Sequence, residues 1–311
     1  MERRMKKKPV ILFTSDIHLS EKQPICRGES DWMAYQAEKL QWLAKLKKKL
    51  KCELIIVGDL FDKYSVSHEL LNMAIDNLPP CYILCGNHEL KFHSMELFDK
   101  CCLGSLTRNE KFTLMTEPFS IGEYEVVPFH FGDEFKPYEG DKKSVAVIHE
   151  LIWQSEPFIN APKSGNVKNL VKQLRGFDYI FCGDNHEKFI TEVDGVKIVN
   201  HGSLMRLTAK QMDYTPSVWV LYDDGSVESI DIPCADDKIS REHLDVKEIK
   251  DSRIKEFVAS LKQYDTETEG YVDTSSDGLD FAENLKNFLA SEEIDDSVIM
   301  LLEESSCLNL K

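Results

Sequence analysis

The chain has 311 residues, 42% hydrophobic and 30% charged, with 15 Gly and 11 Pro. This excludes a collagen-like or wholly disordered chain and suits one large α/β domain plus a smaller unit. The formal net charge of −16 argues against an ordinary nucleic-acid binder, but residues 235–311, with 9 basic and 20 acidic side chains, hold −11 of it, leaving −5 for residues 1–234.

In chain order, Met1–Lys8 is basic, and the apolar run after it, Pro9 to Phe13, is too short for a signal peptide. No stretch of about 18 apolar residues follows, so no membrane partner and a cytoplasmic protein are expected. Val10–Thr14 predicts a buried strand. Trp32–Leu50 predicts a helix, with Leu40, Leu43, Leu46 and Leu50 at three- and four-residue spacing. Leu54–Val57 is a second strand. Val66–Leu78 is a second helix, stopped by Pro79 and Pro80, and Tyr82–Leu84 is a third strand. This alternation implies parallel strands with helices outside. Tyr124–Phe129, Val145–His149, Tyr179–Cys182, Val196–Asn200 and Val218–Tyr222 are strand-like. Asp223, Asp224 and Gly225 mark a hairpin into Val227–Ile232. The second half therefore predicts a second, mixed sheet. Past Pro233, Ile254–Leu261, Phe281–Leu289 and Val298–Leu302 predict short helices, so residues 1–234 and 235–311 are taken as a main domain and an acidic helical C-terminal unit. The nine cysteines include no C-x-x-C pair, which favours buried thiols over disulfides or structural zinc.

The chemistry sits where the strands end. The first ends in Asp16-Ile17-His18, the second in Gly58-Asp59-Leu60-Phe61-Asp62 and the third in Gly86-Asn87-His88-Glu89. Later ones end in Ile148-His149-Glu150 and Gly183-Asp184-Asn185-His186. Sites of α/β sheets form beyond the carboxyl ends of strands. Carboxylate, imidazole and amide donors together suit divalent first-row metals, and the glycines permit sharp turns and close approach. Each motif alone is a weak signal; five in order, each after an apolar strand, indicate a metal site.

With these motifs the chain resembles the calcineurin-like metallophosphoesterases, over roughly residues 10–232. Their pattern is D-x-H, G-D-x-x-D, G-N-H-[DE], a lone strand-end His and G-H-x-H; four of the five match fully. Asp16-Ile17-His18-Leu19, Gly58–Asp62 and Gly202-Ser203-Leu204-Met205-Arg206 look most like the SbcD-type DNA repair nucleases, including short virus-encoded members.

The resemblance implies a four-layer α/β/β/α sandwich with the site at one edge. It implies two divalent ions, Mn²⁺ foremost with Fe²⁺, Zn²⁺ or Mg²⁺ as alternatives. Asp16, His18 and His186 would hold one ion, and Asn87, His149 and Asp184 the other. Asp59 would bridge them, and His88 would face the substrate phosphate. Asp184 stands where the family has His; it either ligates through oxygen or marks a weakened second site. Arg206 would contact a DNA phosphate or pair with a carboxylate. His201 precedes Gly202 and is either near the site or structural. Lys47, Lys48, Lys49 and Lys51 are either a DNA-facing patch or a solvated helix end. The implied function is a DNA exo- and endonuclease. Its implied partners are DNA, a separate SbcC-like coiled-coil ATPase (the chain has no G-x-x-x-x-G-K-[ST] loop) and a second copy in a homodimer. The alternatives are a protein phosphatase or small-molecule phosphodiesterase of the same superfamily, and a metal-poor scaffold.

Overall fold

A computed structural model describes residues 7–154, 163–242 and 244. The chain divides into two compact units, 1–246 and 247–311. The helices expected between Ile254 and Leu302 lie outside the described residues. Residues 237–240 belong with the first unit: the Gly28 amide donates to the Lys238 carbonyl and the Ser240 amide to the Cys26 carbonyl, both at 2.8 Å.

The first unit contains two six-stranded sheets. One runs β12 (Val227–Asp231), β11 (Ser217–Tyr222), β1 (Pro9–Thr14), β2 (Glu53–Val57), β3 (Cys81–Leu84), β4 (Phe112–Leu114). The other runs β5 (Phe119–Ile121), β6 (Tyr124–Phe129), β7 (Lys143–His149), β8 (Tyr179–Gly183), β10 (Val196–Asn200), β9 (Phe189–Val193). Within them β1, β2, β3 and β4 are mutually parallel, as are β6, β7, β8 and β10.

The central strands are apolar on both faces, and their two-residue period sorts side chains between layers. Ile11, Phe13, Ile55, Val57, Val145, Val147, Tyr179 and Phe181 form the core between the sheets. Phe13 stacks on Phe181 with ring centroids 3.8 Å apart. The alternate residues Leu12, Leu54 and Ile56 pack under α1 (Trp32–Leu50) and α2 (His68–Asn77). Ala146, Ile148, Ile180 and Cys182 pack under α4 (Val167–Gln173), which follows the short α3 (Cys102–Leu106). Helix, sheet, sheet and helix make the expected four layers.

Helix α1 starts at Asp31, whose carboxylate accepts the Ala34 amide at 2.9 Å, and stops at Lys51 in the left-handed region (φ 56°). Lys47, in its last turn, is held by Glu53 at 3.3 Å and by the Pro80 carbonyl at 2.6 Å. Helix α2 starts two residues later than expected because Ser67 caps it, accepting the Leu70 amide at 3.1 Å. One expectation is corrected: β11 and β12 join the first sheet. β11 pairs antiparallel with β1, whose two apolar faces and open edge require a neighbour on that side. The sequence pattern does not mark the short β4, β5 and β9 or helices α3 and α4. Among the described residues no helix is long and apolar enough to cross a membrane, and all eight described cysteines are free thiols.

Candidate metal centre

Five parallel strands, β1, β2 and β3 from one sheet and β7 and β8 from the other, end at one edge. Their loops continue the ladder past the strand ends: the Asp16 amide donates to the Gly58 carbonyl at 3.2 Å, His18 to Asp59 at 2.9 Å and Leu19 to Leu60 at 2.9 Å. Ile17 and Leu19 are wholly buried in the core, so Asp16 and His18, two residues apart, turn to one place. That local path takes Asp16 (φ 49°), His18 (φ 49°), Asp59 (φ 51°) and Asp184 (φ 86°) into the left-handed region. Non-glycine residues enter it at a cost of about 1–3 kcal/mol each, and such strain gathers at functional sites. Gly58 (φ +80°) and Gly86 are obligatory here. A Cβ would lie 2.1 Å from His149 Nδ1 at the first and 2.2 Å from Asp59 Oδ1 at the second.

The structure brings eight of the nine candidate residues together. His18 Nε2 and His186 Nε2 are 3.0 Å apart, with Asp16 Oδ1 3.9 and 3.7 Å from them. Asp59 Oδ2 lies 3.3 Å from His149 Nε2, 3.6 Å from His18 Nε2 and 4.0 Å from His88 Nε2. Asn87 Oδ1 is 3.2 Å from His149 Nε2. Asp184 Oδ1 is 3.9 Å from His149 Nε2, and the Asp184 amide donates to both Asp16 oxygens at 3.0 and 3.2 Å. Asp16, Asp59 and His149 are buried, whereas the side chains of Asp184, His186 and His88 are 22, 36 and 39% exposed and form the mouth. Arg206 stands apart. Its Nε donates to the Tyr214 carbonyl at 2.7 Å and its Nη2 to Cys234 Sγ at 3.2 Å, and none of its described bonds reaches the cluster.

The donor set fits divalent cations. Ligands about 2.0–2.2 Å from one ion at tetrahedral or octahedral angles sit ~3.0–3.5 Å from one another; the separations here begin in that range and extend to 4.0 Å. Three overlapping triads qualify: Asp16, His18 and His186; His18, Asp59 and His88; and Asp16, Asp59 and His149. The Asn87 side-chain amide lies 3.2 Å from His149 Nε2 and from both Asp59 oxygens, where its oxygen can turn to a cation.

Electrostatics agree. Burial pushes the Asp16 carboxyl up to about 6, although His149 opposes this. Burial also acts on Asp59, but His149 and His18 overcome it and hold its carboxyl well below the usual range. His149 is the converse: burial disfavours its charge, and Asp59 raises it well above the ordinary imidazole value. Burial and the like charge of His18 push His186 down to about 4, so it is a neutral donor at pH 7. In the absence of a cation, a proton on His149 therefore balances the Asp59 carboxylate. Cation binding must release it.

Two contributors lack a ligand's signature in sequence. Glu89 is wholly buried and accepts the amides of Asp59 (3.1 Å), Gly86 (2.9 Å) and Phe61 (2.9 Å), clamping the β2 and β3 loops. Burial, reinforced by Asp59, pushes its carboxyl up to about 7. The Asp62 carbonyl lies 2.8 Å from His88 Nδ1, which fixes the tautomer as Nδ1–H and leaves Nε2 to face the site. The only signal for either was its place in G-N-H-E or G-D-x-x-D.

His201 is a structural residue. It is wholly buried, its ring lies 5.7 Å from that of Phe181, Nδ1 donates to the Cys182 carbonyl at 2.5 Å, and Nε2 has no partner among the described residues. Burial pushes its pKa down to about 3. The unfolded chain, with an ordinary pKa near 6.5, binds that proton first. His201 therefore costs stability as pH falls from about 6.5 toward 3, by about 3 kcal/mol between pH 7 and 4. Urea unfolding of His201→Phe in chelator should lose that part of the acid limb; an unchanged pH profile would remove His201 as its source.

The model for calcineurin-like phosphoesterases matches residues 9–199, well over half of the chain, so the chain belongs to that family. No curated protein matches it in sequence. Among solved structures it is similar to an archaeal phosphodiesterase (13% identity, 71% of this chain and 99% of that one, TM-score 0.39). It is also similar to the calcineurin-like phosphoesterase YfkN from Bacillus subtilis (14%, 73% and 89%, TM-score 0.41). A third is the zinc complex of Vps29 from Entamoeba histolytica (14%, 71% and 97%, TM-score 0.35).

Asp184 fills the family's His position with oxygen, burial raises its pKa, and it faces His149. Calorimetric Mn²⁺ titration of Asp184→Ala should show the second ion bound at least about tenfold more weakly; equal stoichiometry and affinity would remove Asp184 from the centre.

Proposed function

We propose that the chain is a two-metal phosphodiesterase that hydrolyses DNA, an SbcD-like exo- and endonuclease that prefers Mn²⁺. One observation carries the phosphodiesterase reading: Asp59 Oδ2 lies within 4.0 Å of Nε2 of His149, His18 and His88, so one carboxylate serves both halves of a paired site. Divalent ions, when bound, acidify a water and neutralise charge on the phosphoryl oxygens. The chain's residues do the rest. Asp16, His18 and His186 would hold one ion and Asn87, His149 and Asp184 the other, with Asp59 shared. His88 is oriented by the Asp62 carbonyl so that Nε2 faces the substrate at the mouth. In its doubly protonated form, with Nδ1–H held by the Asp62 carbonyl, His88 would donate Nε2–H to a phosphoryl oxygen as charge builds, or pass that proton to the leaving alkoxide.

The DNA reading is supported by Gly202–Arg206, whose backbone lies against the site. The Ser203 amide donates to the His186 carbonyl and the Leu204 amide to the Asp16 carbonyl, both at 3.3 Å. The implied partners are DNA, an SbcC-like coiled-coil ATPase and a second copy, with residues 235–311 as the docking element. The net charge of −16 favours the second reading, a phosphatase or small-diester phosphodiesterase of the same family.

Labelled single- and double-stranded DNA with Mn²⁺, Mg²⁺ or chelator tests the proposal. Wild type should cleave with Mn²⁺, and His88→Ala should be at least about 100-fold slower while retaining its metals. Turnover of bis-p-nitrophenyl phosphate without DNA cleavage would retire the DNA reading and keep the phosphodiesterase.

A further inference from the structure

Beside the metal centre lies a cavity of about 510 Å³, within the usual range for small-molecule sites. Asn87, His88 and Asp62 form its inner wall, and Tyr64 and Phe92 its aromatic rim. Phe92 is 81% exposed, although the backbone on either side of it is pinned. The preceding Leu90 is buried, the Lys91 amide donates to Cys101 Sγ at 3.4 Å, and the His93 amide donates to the Leu90 carbonyl at 3.2 Å. Both Phe92 (φ 55°) and His93 (φ 54°) are left-handed, a conformation that bulky residues rarely take. The chain thus holds strain to present an aromatic ring to solvent next to His88. Lys91 Nζ sits 5.4 Å from the Phe92 ring and 5.9 Å from that of Tyr64, which places an ammonium group beside the aromatic rim.

An exposed aromatic face, a second ring and an ammonium group beside a phosphodiester site suit a planar base carried on a phosphate. We propose that this cavity seats a nucleobase adjacent to the scissile phosphodiester, stacked on Phe92 and flanked by Tyr64. This deepens the phosphodiesterase reading and rests on it.

Calorimetry on the Mn²⁺-loaded full chain tests the proposal. The 5′- and 3′-monophosphates of adenosine are compared with ribose 5-phosphate, which keeps the sugar and phosphate without the base. At least one nucleotide should bind about tenfold more tightly than the sugar phosphate, the order of one base stack. Phe92→Ala should remove that gain and Phe92→Trp keep it, with ribose 5-phosphate affinity the same in all three proteins. Equal affinity for nucleotide and sugar phosphate in the wild type, or a gain that survives in Phe92→Ala, overturns the base site. Metal-dependent turnover of bis-p-nitrophenyl phosphate reports separately on the phosphodiesterase, so each reading can fail without the other.

Discussion

Asp59→Asn should lower metal-dependent phosphodiester hydrolysis by about 10³-fold, the scale of losing several kcal/mol of transition-state charge stabilisation. The substitution keeps shape and removes charge. Asp59 Oδ2 is nearer His149 Nε2 than the Asp184 carboxylate is, at 3.3 against 3.9 Å, and is shared with His18 and His88, so no neighbour can take its place. The loop should survive, because Glu89 holds Asp59 by its backbone amide. In metal titrations the variant should bind fewer than two ions, and fewer protons should be released, since His149 loses the partner that keeps it charged. Activity within tenfold of wild type at saturating Mn²⁺ would refute a shared carboxylate.

Gly58→Ala should unfold at much lower urea, by roughly 3 kcal/mol or more, and bind metal weakly even where folded. Two effects add. A φ of +80° strains any residue with a Cβ, and that Cβ would lie within 2.8 Å of three atoms of the His149 ring. The ring cannot retreat: it is buried, and its Nδ1 is bonded to the Val57 carbonyl at 2.8 Å. A loss below about 1 kcal/mol with intact metal binding would show that the β2 and β7 ends can separate.

Much of this was legible in the sequence because the information is local. Tyr124–Phe129 and Val196–Asn200 have the predicted limits, as does α1, Trp32–Leu50. Continuous apolar runs between turn residues mark strands covered on both faces, and leucines at helical spacing mark α1. The site residues were legible for the same reason. Each ligand type follows an apolar strand, and strands of a parallel sheet finish on one side.

Pairing, and acceptors supplied across the chain, were decided only by the tertiary structure. β11 reads as part of the second half, yet it belongs beside β1, since nothing in a strand's own residues names its neighbour. The three-residue β4 and β5 carry too little periodicity to be seen. Arg206 turns to Tyr214 and Cys234 because their acceptor atoms lie within its reach. Glu89 proves to be a clamp, since the amides it binds belong to Asp59, Phe61 and Gly86 on two different loops. The sequence by itself determined which residues could ligate and which strand ends carry them. The folded chain alone decided that eight of them share one edge, because only packing of the two sheets brings His149 of β7 to Asp59 in the loop after β2.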